Sequence, residues 1–115
     1  MKNILVIDDK TLVLDVIKAI LEDMGYTVEI FADSQAGMEE AIRKDYDLIL
    51  VDVCMPGMNG AEVTEGIRKA RSGAKILINT GHPNDPLVAR ALEAGAVGLL
   101  TKPFEIAKVL DLLKD

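Results

Sequence analysis

Tryptophan is missing from this sequence, and cysteine and histidine occur only once each, as Cys54 and His82. A single cysteine excludes an internal disulfide and is compatible with a reducing compartment. Two tyrosines and two phenylalanines are too few for a surface on which single-stranded nucleic acid could stack. No apolar run approaches the roughly 18 residues of a membrane-spanning helix, and the first run is too short for a signal peptide. We therefore expect a cytoplasmic protein that does not bind membranes.

Basic residues are also outnumbered in this chain. It has 13 Lys and Arg against 19 Asp and Glu, which gives a net charge of −6. Affinity for nucleic acid depends on neutralising phosphates with Lys and Arg, so direct nucleic-acid binding is not expected. One basic cluster is expected on a solvated helix end and the loop that follows it, and consists of Arg68, Lys69, Arg71 and Lys75.

The length bounds the number of domains. At 115 residues, half of them hydrophobic, the chain is long enough for one domain with an aliphatic core. We therefore predict a single domain over residues 1–115. The last predicted helix is short, so a longer native protein that contains this domain is also compatible with the sequence.

Short apolar runs alternate with helical patterns five times, which is typical of βαβ units around a mainly parallel sheet. The predicted strands lie at Ile4–Ile7, Tyr26–Phe31, Leu48–Val51, Ile76–Ile78 and Val97–Leu100. The continuous apolar runs indicate strands that helices cover on both faces. The second run includes Thr27 and Glu29, which favours an edge position. We therefore predict an α/β fold.

The helical segments follow from their periodicity and their caps. The first, about Leu12 to Met24, is expected to end at Gly25 and to bury one stripe, made of Val13, Val16, Ile17, Ile20 and Met24. The second follows Asp33-Ser34 and is expected to bury Met38, Ala41 and Ile42.

Capping signals mark the later helices. Asn59 and Glu62 form a predicted capping box for the third helix, inside which Gly66 should cost about 1 kcal/mol relative to Ala. The fourth helix opens at Asn84-Asp85-Pro86 and ends at Gly95. The fifth runs from about Glu105 to the end of the chain.

Polar residues with the chemistry of a phosphoryl-transfer site follow the predicted strands. Asp8 and Asp9 end the first strand and Asp52 ends the third, while Thr80 and Lys102 close the runs after it. The carboxyl ends of strands in an open α/β sheet converge on one crevice. Three carboxylates there repel each other unless a cation joins them, and Mg²⁺ prefers oxygen ligands of this kind. The pattern predicts a site in which an Asp accepts the phosphoryl group.

These stretches together resemble the receiver domain of bacterial two-component response regulators, such as the chemotaxis regulators. The shared motifs are Asp-Asp, Asp-x-x-Met-Pro-x-Met-x-Gly, Thr-Gly and Lys-Pro-Phe, in this order and each closing a strand. The matching residues are 4–9, 47–60, 79–82 and 100–104. The resemblance covers nearly the whole chain. It implies a flavodoxin-like, doubly wound sheet of five parallel strands in the order 2-1-3-4-5.

The resemblance also implies roles for the site residues. Asp52 would be the nucleophile that attacks a phosphoryl group carried on a partner's histidine. Asp8, Asp9, Asp52 and the backbone carbonyl of Cys54 would hold Mg²⁺ or Mn²⁺. Lys102 and Thr80 would contact the phosphoryl oxygens. In the family the Lys-Pro bond is cis, which here would be Lys102-Pro103.

Three positions are expected to tune the switch. Receiver domains usually have Tyr or Phe three residues before the conserved Lys, where this chain has Leu99. Leu99 cannot present a ring, so we expect switching through the loop 81–86 and the start of the fourth helix. Cys54 and His82, two residues after Asp52 and Thr80, vary in the family and tune the lifetime of the phosphorylated state. If both lean over the crevice, they could instead admit Zn²⁺.

The family's partners follow from the same resemblance. A histidine kinase or histidine phosphotransfer protein would donate the phosphoryl group. The surface of the fourth helix, fifth strand and fifth helix would meet an output domain or protein. The chain would act as a monomer or as a phosphorylation-dependent homodimer, and would catalyse at most its own phosphorylation and dephosphorylation.

Two other functions compete with this interpretation. A Mg²⁺-dependent phosphatase of the haloacid-dehalogenase type also uses an Asp nucleophile, but it places two acids two residues apart on the first strand. Here Asp8 and Asp9 are adjacent, and no spare length remains for a cap. A degenerate receiver that serves only as a docking scaffold would have lost site residues, whereas all five are present.

Overall fold

The computed structural model describes residues 2–101 and 106–113, in which five strands and five helices alternate along the chain. The strands are β1 (Asn3–Ile7), β2 (Thr27–Phe31), β3 (Leu48–Asp52), β4 (Ile76–Thr80) and β5 (Gly98–Thr101). The helices are α1 (Thr11–Asp23), α2 (Ser34–Arg43), α3 (Gly60–Ala70), α4 (Pro86–Glu93) and α5 (Ile106–Leu113). None of the described helices is long and apolar enough to cross a membrane.

The five strands form one parallel sheet in the order β2-β1-β3-β4-β5. Ile4 of β1 pairs with Val28 of β2 on one side and with Leu48 of β3 on the other. This topology confirms the predicted α/β fold and the edge position of β2. Because all strands are parallel, their carboxyl ends lie at one edge of the sheet, where β1, β3 and β4 are neighbours.

The core consists of two apolar clusters, one on each face of the sheet. Alternate residues of β1 enter different clusters, with Leu5 and Ile7 on one face and Ile4 and Val6 on the other. Residues of α2, α3 and α4 complete the first cluster, and residues of α1 and α5 complete the second. Burial on both faces explains why the strands are continuous apolar runs.

The predicted buried stripe of α1 was wrong for Val16, Ile20 and Met24, whereas Ile17 is buried and Val13 is partly buried against the second cluster. The buried residues of the helix are Leu14, Ile17 and Leu21, whereas the side chains of the expected stripe are exposed in large part, at 49% for Val16, 37% for Ile20 and 43% for Met24. The helix carries two apolar stripes that share Ile17. Periodicity alone did not distinguish them, because the angle at which the helix leaves β1 decides which stripe meets the sheet.

Gly66 lies inside a regular helix and serves close packing between α2 and α3. A Cβ atom at this position would lie 2.5 Å from Sδ of Met38. The helix is not interrupted at this glycine, since α3 runs unbroken from Gly60 to Ala70. Met38 and Ile42 of α2 are half-buried and Ala41 is fully buried.

The predicted caps are present. Asn59 Oδ1 accepts a hydrogen bond from the Glu62 amide at 2.9 Å, and Glu62 Oε1 accepts one from the Asn59 amide at 3.0 Å. Asp85 Oδ1 accepts a hydrogen bond from the Leu87 amide at 2.8 Å at the start of α4. Gly25 and Gly95 follow the ends of α1 and α4.

The basic cluster was predicted to lie in solvent. Three of its four side chains instead donate hydrogen bonds to backbone carbonyl groups. Arg68 Nη1 donates to the Ala74 carbonyl at 3.0 Å, and Arg71 Nε donates to the Ile42 carbonyl at 2.8 Å. Lys75 Nζ donates to the Leu112 carbonyl at 2.9 Å and so ties β4 to α5. These cations are engaged by the protein's own carbonyls, which gives them a role in packing.

Substitution of Gly60 tests whether close packing of α3 on β3 stabilises the fold, because Gly60 lies against the end of β3 that carries Asp52. A Cβ atom at Gly60 would lie 2.4 Å from the Asp52 carbonyl oxygen and 2.6 Å from Val53 Cα. Backbone cannot yield as a flexible side chain can, so Gly60→Ala should lower the free energy of unfolding by about 1–3 kcal/mol. Urea denaturation measures this change.

Gly73→Ala is the matched control, since a Cβ atom there would meet nothing within 4 Å. It should leave the urea midpoint within a few tenths of a molar of the wild-type value. Equal midpoints for Gly60→Ala and Gly73→Ala would show that the close approach at Gly60 is not required.

Candidate functional site

Three acidic side chains meet at the carboxyl ends of β1 and β3. Asp8 and Asp9 directly follow β1, and Asp52 is the last residue of β3, which pairs with β1. One carboxylate oxygen from each residue lies within 4.8 Å of the other two. Asp8 is 1% exposed and Asp52 3% exposed, so these two acids are withdrawn from water, whereas the Asp9 side chain is 29% exposed.

Backbone hydrogen bonds hold this edge of the sheet in place. The Asp8 amide donates to the Phe31 carbonyl at 3.1 Å, which ties the acid pair to β2. The Gly60 amide donates to the Val53 carbonyl at 2.9 Å, which ties the start of α3 to the end of β3. The positions of the acids are thus determined by two neighbouring elements as well as by their own strands.

The donor set suits a hard divalent cation. Clustered carboxylates repel one another, and burial strengthens that repulsion because the local dielectric constant is low. Among the described residues, no hydrogen bond reaches the buried Oδ1 of Asp9. An ion that prefers oxygen ligands would relieve both problems. Cys54, whose carbonyl was the fourth expected ligand, lies two residues beyond Asp52.

Lys10 is a member of the site that the sequence analysis did not identify. Its Nζ lies 3.5 Å from Asp9 Oδ1 and 3.7 Å from Asp52 Oδ2. Desolvation would lower the pKa of the Lys10 ammonium, but attraction to Asp52, Asp9 and Asp8 outweighs this effect and raises the pKa above its ordinary value. Its position directly after the acid pair was the available signal.

Asn79 is a second residue that the sequence analysis did not assign. It is the register partner of Asp52 in β4, it is 2% exposed, and its Oδ1 accepts no hydrogen bond among the described residues. Leu50 and Leu77 both belong to the second apolar cluster. Because side chains alternate along a strand, Asp52 and Asn79, each two residues further on, lie on that same face of the sheet. A polar residue inside an otherwise apolar strand was the signal for it.

Thr80 ends β4 and is buried, at 1% exposed. Its Oγ1 accepts a hydrogen bond from the His82 amide at 2.9 Å, which ties the hydroxyl to the loop before α4. Leu99 of β5 is half-buried against the first apolar cluster. Lys102 and the Lys102-Pro103 bond lie outside the described residues, so their expected roles stay predictions.

Cys54 and His82 do not join the acids, contrary to the Zn²⁺ alternative. The acid cluster is the only group of three or more metal-ligating side chains in the described part of the chain. Cys54 Sγ lies instead 3.8 Å from Asp85 Oδ2, and His82 is exposed. Desolvation, reinforced by the charges of Asp85 and Asp52, raises the pKa of the Cys54 thiol. A protonated thiol is a poor metal ligand, because the thiolate is the binding form.

Comparison with known proteins identifies relatives of this chain. A family model described as "Response regulator receiver domain" matches residues 4–114. The chain is 37% identical over 103 residues to the transcriptional regulatory protein FixJ of Bradyrhizobium diazoefficiens, covering 90% of this chain and 50% of that protein. It thus spans about half the length of FixJ and of several other curated relatives.

Solved structures show the same similarity. A CheY-like receiver domain protein from Methanospirillum hungatei has a TM-score of 0.89 and 36% identity, with 96% of this chain and 89% of that chain covered. The response regulator protein TrrA from Thermotoga maritima, in complex with Mg²⁺-BeF, has a TM-score of 0.85 and 32% identity. The match with TrrA covers 98% of this chain and all of that chain.

The raised pKa of Cys54 gives a pH-dependent prediction. Asp85→Asn removes one of the charges that raise this pKa, and Asn still caps α4. Because the thiolate is the reactive form, the pH midpoint for alkylation of Cys54 by iodoacetamide should fall. The rate at a fixed pH below that midpoint should then rise severalfold. Mass spectrometry of the alkylated protein over a pH series measures both quantities.

Asp33→Asn is the matched control, because Asp33 caps α2 in the same way and does not contribute to the pKa of Cys54. Its pH profile should coincide with that of the wild type. An unchanged profile for Asp85→Asn would mean that Asp85 does not act on the thiol.

Proposed function

The chain belongs to the response regulator receiver domain family, and on that basis we propose that Asp52 is the phosphoacceptor of a two-component signalling switch. The observation that carries this proposal is the convergence of Asp8, Asp9 and Asp52 at the ends of two adjacent strands. Of the three, Asp52 is the one that ends β3, a strand buried along its whole length. The phosphatase alternative has no support from the family match.

We propose that Asp8, Asp9, Asp52 and the Cys54 carbonyl hold Mg²⁺. The three acids of this chain provide oxygen ligands in the spacing described above, and the similar protein TrrA was crystallised with Mg²⁺-BeF. When bound, the ion would neutralise charge on the phosphoryl oxygens. Mn²⁺ prefers the same oxygen ligands, so we expect it to substitute.

The proposed reaction is transfer of a phosphoryl group from nitrogen to oxygen. A carboxylate oxygen of Asp52 forms a bond to phosphorus while the bond from phosphorus to the donor's histidine nitrogen breaks, and the electron pair stays on that nitrogen. Burial of Asp52 removes competing water from the nucleophile. Lys102 and Thr80 are the residues that would contact the transferred oxygens, Lys102 as a compact cation and Thr80 as a hydroxyl donor. The chain would promote only two reactions, its own phosphorylation at Asp52 and hydrolysis of the resulting aspartyl phosphate.

The donor is proposed to be a histidine kinase or a histidine phosphotransfer protein. The exposed stripe of α1 supports a protein donor, since it begins at Leu12, which is 76% exposed and lies two residues after Lys10. It continues through Val16, Ile20 and Met24, each spaced one helical turn from the last. An apolar surface that starts beside the acid cluster is suited to a protein that must bring its histidine to Asp52.

The output of the switch is proposed to pass through the loop 81–86. Movement of the Thr80 hydroxyl toward a phosphoryl oxygen would carry the His82 amide with it, because the two are hydrogen-bonded. The same loop contains Asp85, which contacts Cys54 beyond the end of β3 and caps α4. Leu99 has no ring to turn inward, so we expect α4 to change more than β5 within the α4-β5-α5 surface. That surface would meet an output domain, or a second copy of the chain if phosphorylation causes dimerisation.

Phosphorylation by a small donor tests the assignment of Asp52. Acetyl phosphate with Mg²⁺ should add one phosphoryl group to the wild-type chain, and Asp52→Asn should abolish this addition because the amide is not a nucleophile for phosphorus. Intact-protein mass spectrometry measures the fraction modified.

Asp23→Asn controls for the change in net charge, since Asp23 lies exposed at the end of α1. It should be phosphorylated to the wild-type extent. If Asp52→Asn were also labelled fully, another residue would be the acceptor and the proposed function of this site would be wrong.

A further inference from the structure

Lys10 occupies a position where a lysine is unfavourable for the helix that it begins. It is the N-cap residue of α1, and its side chain makes no capping hydrogen bond. Cap positions favour Ser, Thr, Asp and Asn, and a cation near a helix N-terminus is opposed by the helix dipole. A compensating interaction is therefore needed to explain why the ammonium stays close to this end of the helix.

The acid cluster provides that compensation. The backbone of Lys10 is held on both sides, since its amide donates to Asp8 Oδ1 at 2.9 Å and its carbonyl accepts from the Leu14 amide at 3.1 Å. From this anchored position the side chain turns back to Asp9 and Asp52, at the distances given above. The side chain is 56% exposed, so the ammonium has room to swing toward solvent.

We propose that Lys10 is a tethered cation that competes with the divalent ion for Asp9 and Asp52, and so sets the metal affinity of the site. The inference rests on the proposed metal site and adds a determinant of its affinity. Two of the three carboxylates expected to hold the ion are those that contact the ammonium. A divalent ion on these carboxylates would lie next to the ammonium and repel it. Binding of the ion therefore requires Lys10 to give up both contacts and move outward.

The test is the Mg²⁺ affinity of Lys10→Met, measured by isothermal titration calorimetry. Methionine keeps an unbranched, mainly apolar side chain and removes the charge, so the dissociation constant should fall about tenfold, which corresponds to about 1.4 kcal/mol. Lys10→Arg keeps the charge and should remain near the wild-type value. Lys69→Met changes the net charge equally at the far end of α3 and should also bind like the wild type.

A second readout does not involve the metal. Without divalent ions, Lys10→Met should have a lower urea midpoint than the wild type, because Asp9 and Asp52 lose a cationic neighbour. Lys69→Met should not. A purely structural role for Lys10 in the helix would move this midpoint without tightening Mg²⁺ binding, and that result would overturn the proposal.

The outcomes also separate this inference from the proposed function. Unchanged or weaker Mg²⁺ binding by Lys10→Met, with normal phosphorylation of Asp52, would overturn the competition and leave the function in place. Absence of Mg²⁺ binding in both the wild type and Lys10→Met would overturn both. Tighter binding in Lys10→Met alone among the three variants would support the competition.

Discussion

Mutual repulsion among Asp8, Asp9 and Asp52 is the constraint on which the rest of this structure depends. Asp8 and Asp52 are buried and Asp9 lies beside them, although like charges oppose such close placement. The two apolar clusters of the sheet stabilise the strands that carry them, and Gly60 lets α3 pack on the end of β3. The stability of the fold holds the three carboxylates together despite their repulsion, and a bound cation would reduce that repulsion. Without a metal ion, the Lys10 ammonium reduces part of it.

The surroundings of the cluster connect it to the protein surface in two directions. On one side, Lys10 leads directly into α1 and its exposed apolar stripe, the surface that we propose for the incoming donor. On the other side, Thr80 and Cys54 both contact the loop 81–86, through the His82 amide and through Asp85. We therefore propose that a change of charge at Asp52 acts on the loop 81–86, which is held at two points and leads into α4. Such a coupling would shift populations, so its size would be limited by the difference in interaction between the two states.

The fold could be predicted because local signals agreed with one another. Continuous apolar strands, the Asn59–Glu62 capping box and Asp85 before Pro86 each specify a local structure, and together they indicate an α/β fold. The strand order came from the resemblance to receiver domains, because local signals do not specify which strands are neighbours. The positions of the acids could be predicted because the carboxyl ends of parallel strands converge. The buried side of α1 could not be predicted from the sequence, since the helix has two apolar stripes and only tertiary packing selects between them. Lys10 and Asn79 were missed for a related reason, because the direction of a long or amide side chain depends on neighbours from other strands.

The most direct measurement of the central claim is the dependence of unfolding free energy on Mg²⁺. If the acids bind the ion, the wild type should gain about 2.7 kcal/mol when free Mg²⁺ is a hundredfold above its dissociation constant. Asp9→Ala should lose most of that gain, while Asp23→Ala, at the other end of α1, should keep it. An undiminished gain in Asp9→Ala would contradict the account, because the ion would then bind elsewhere on the chain.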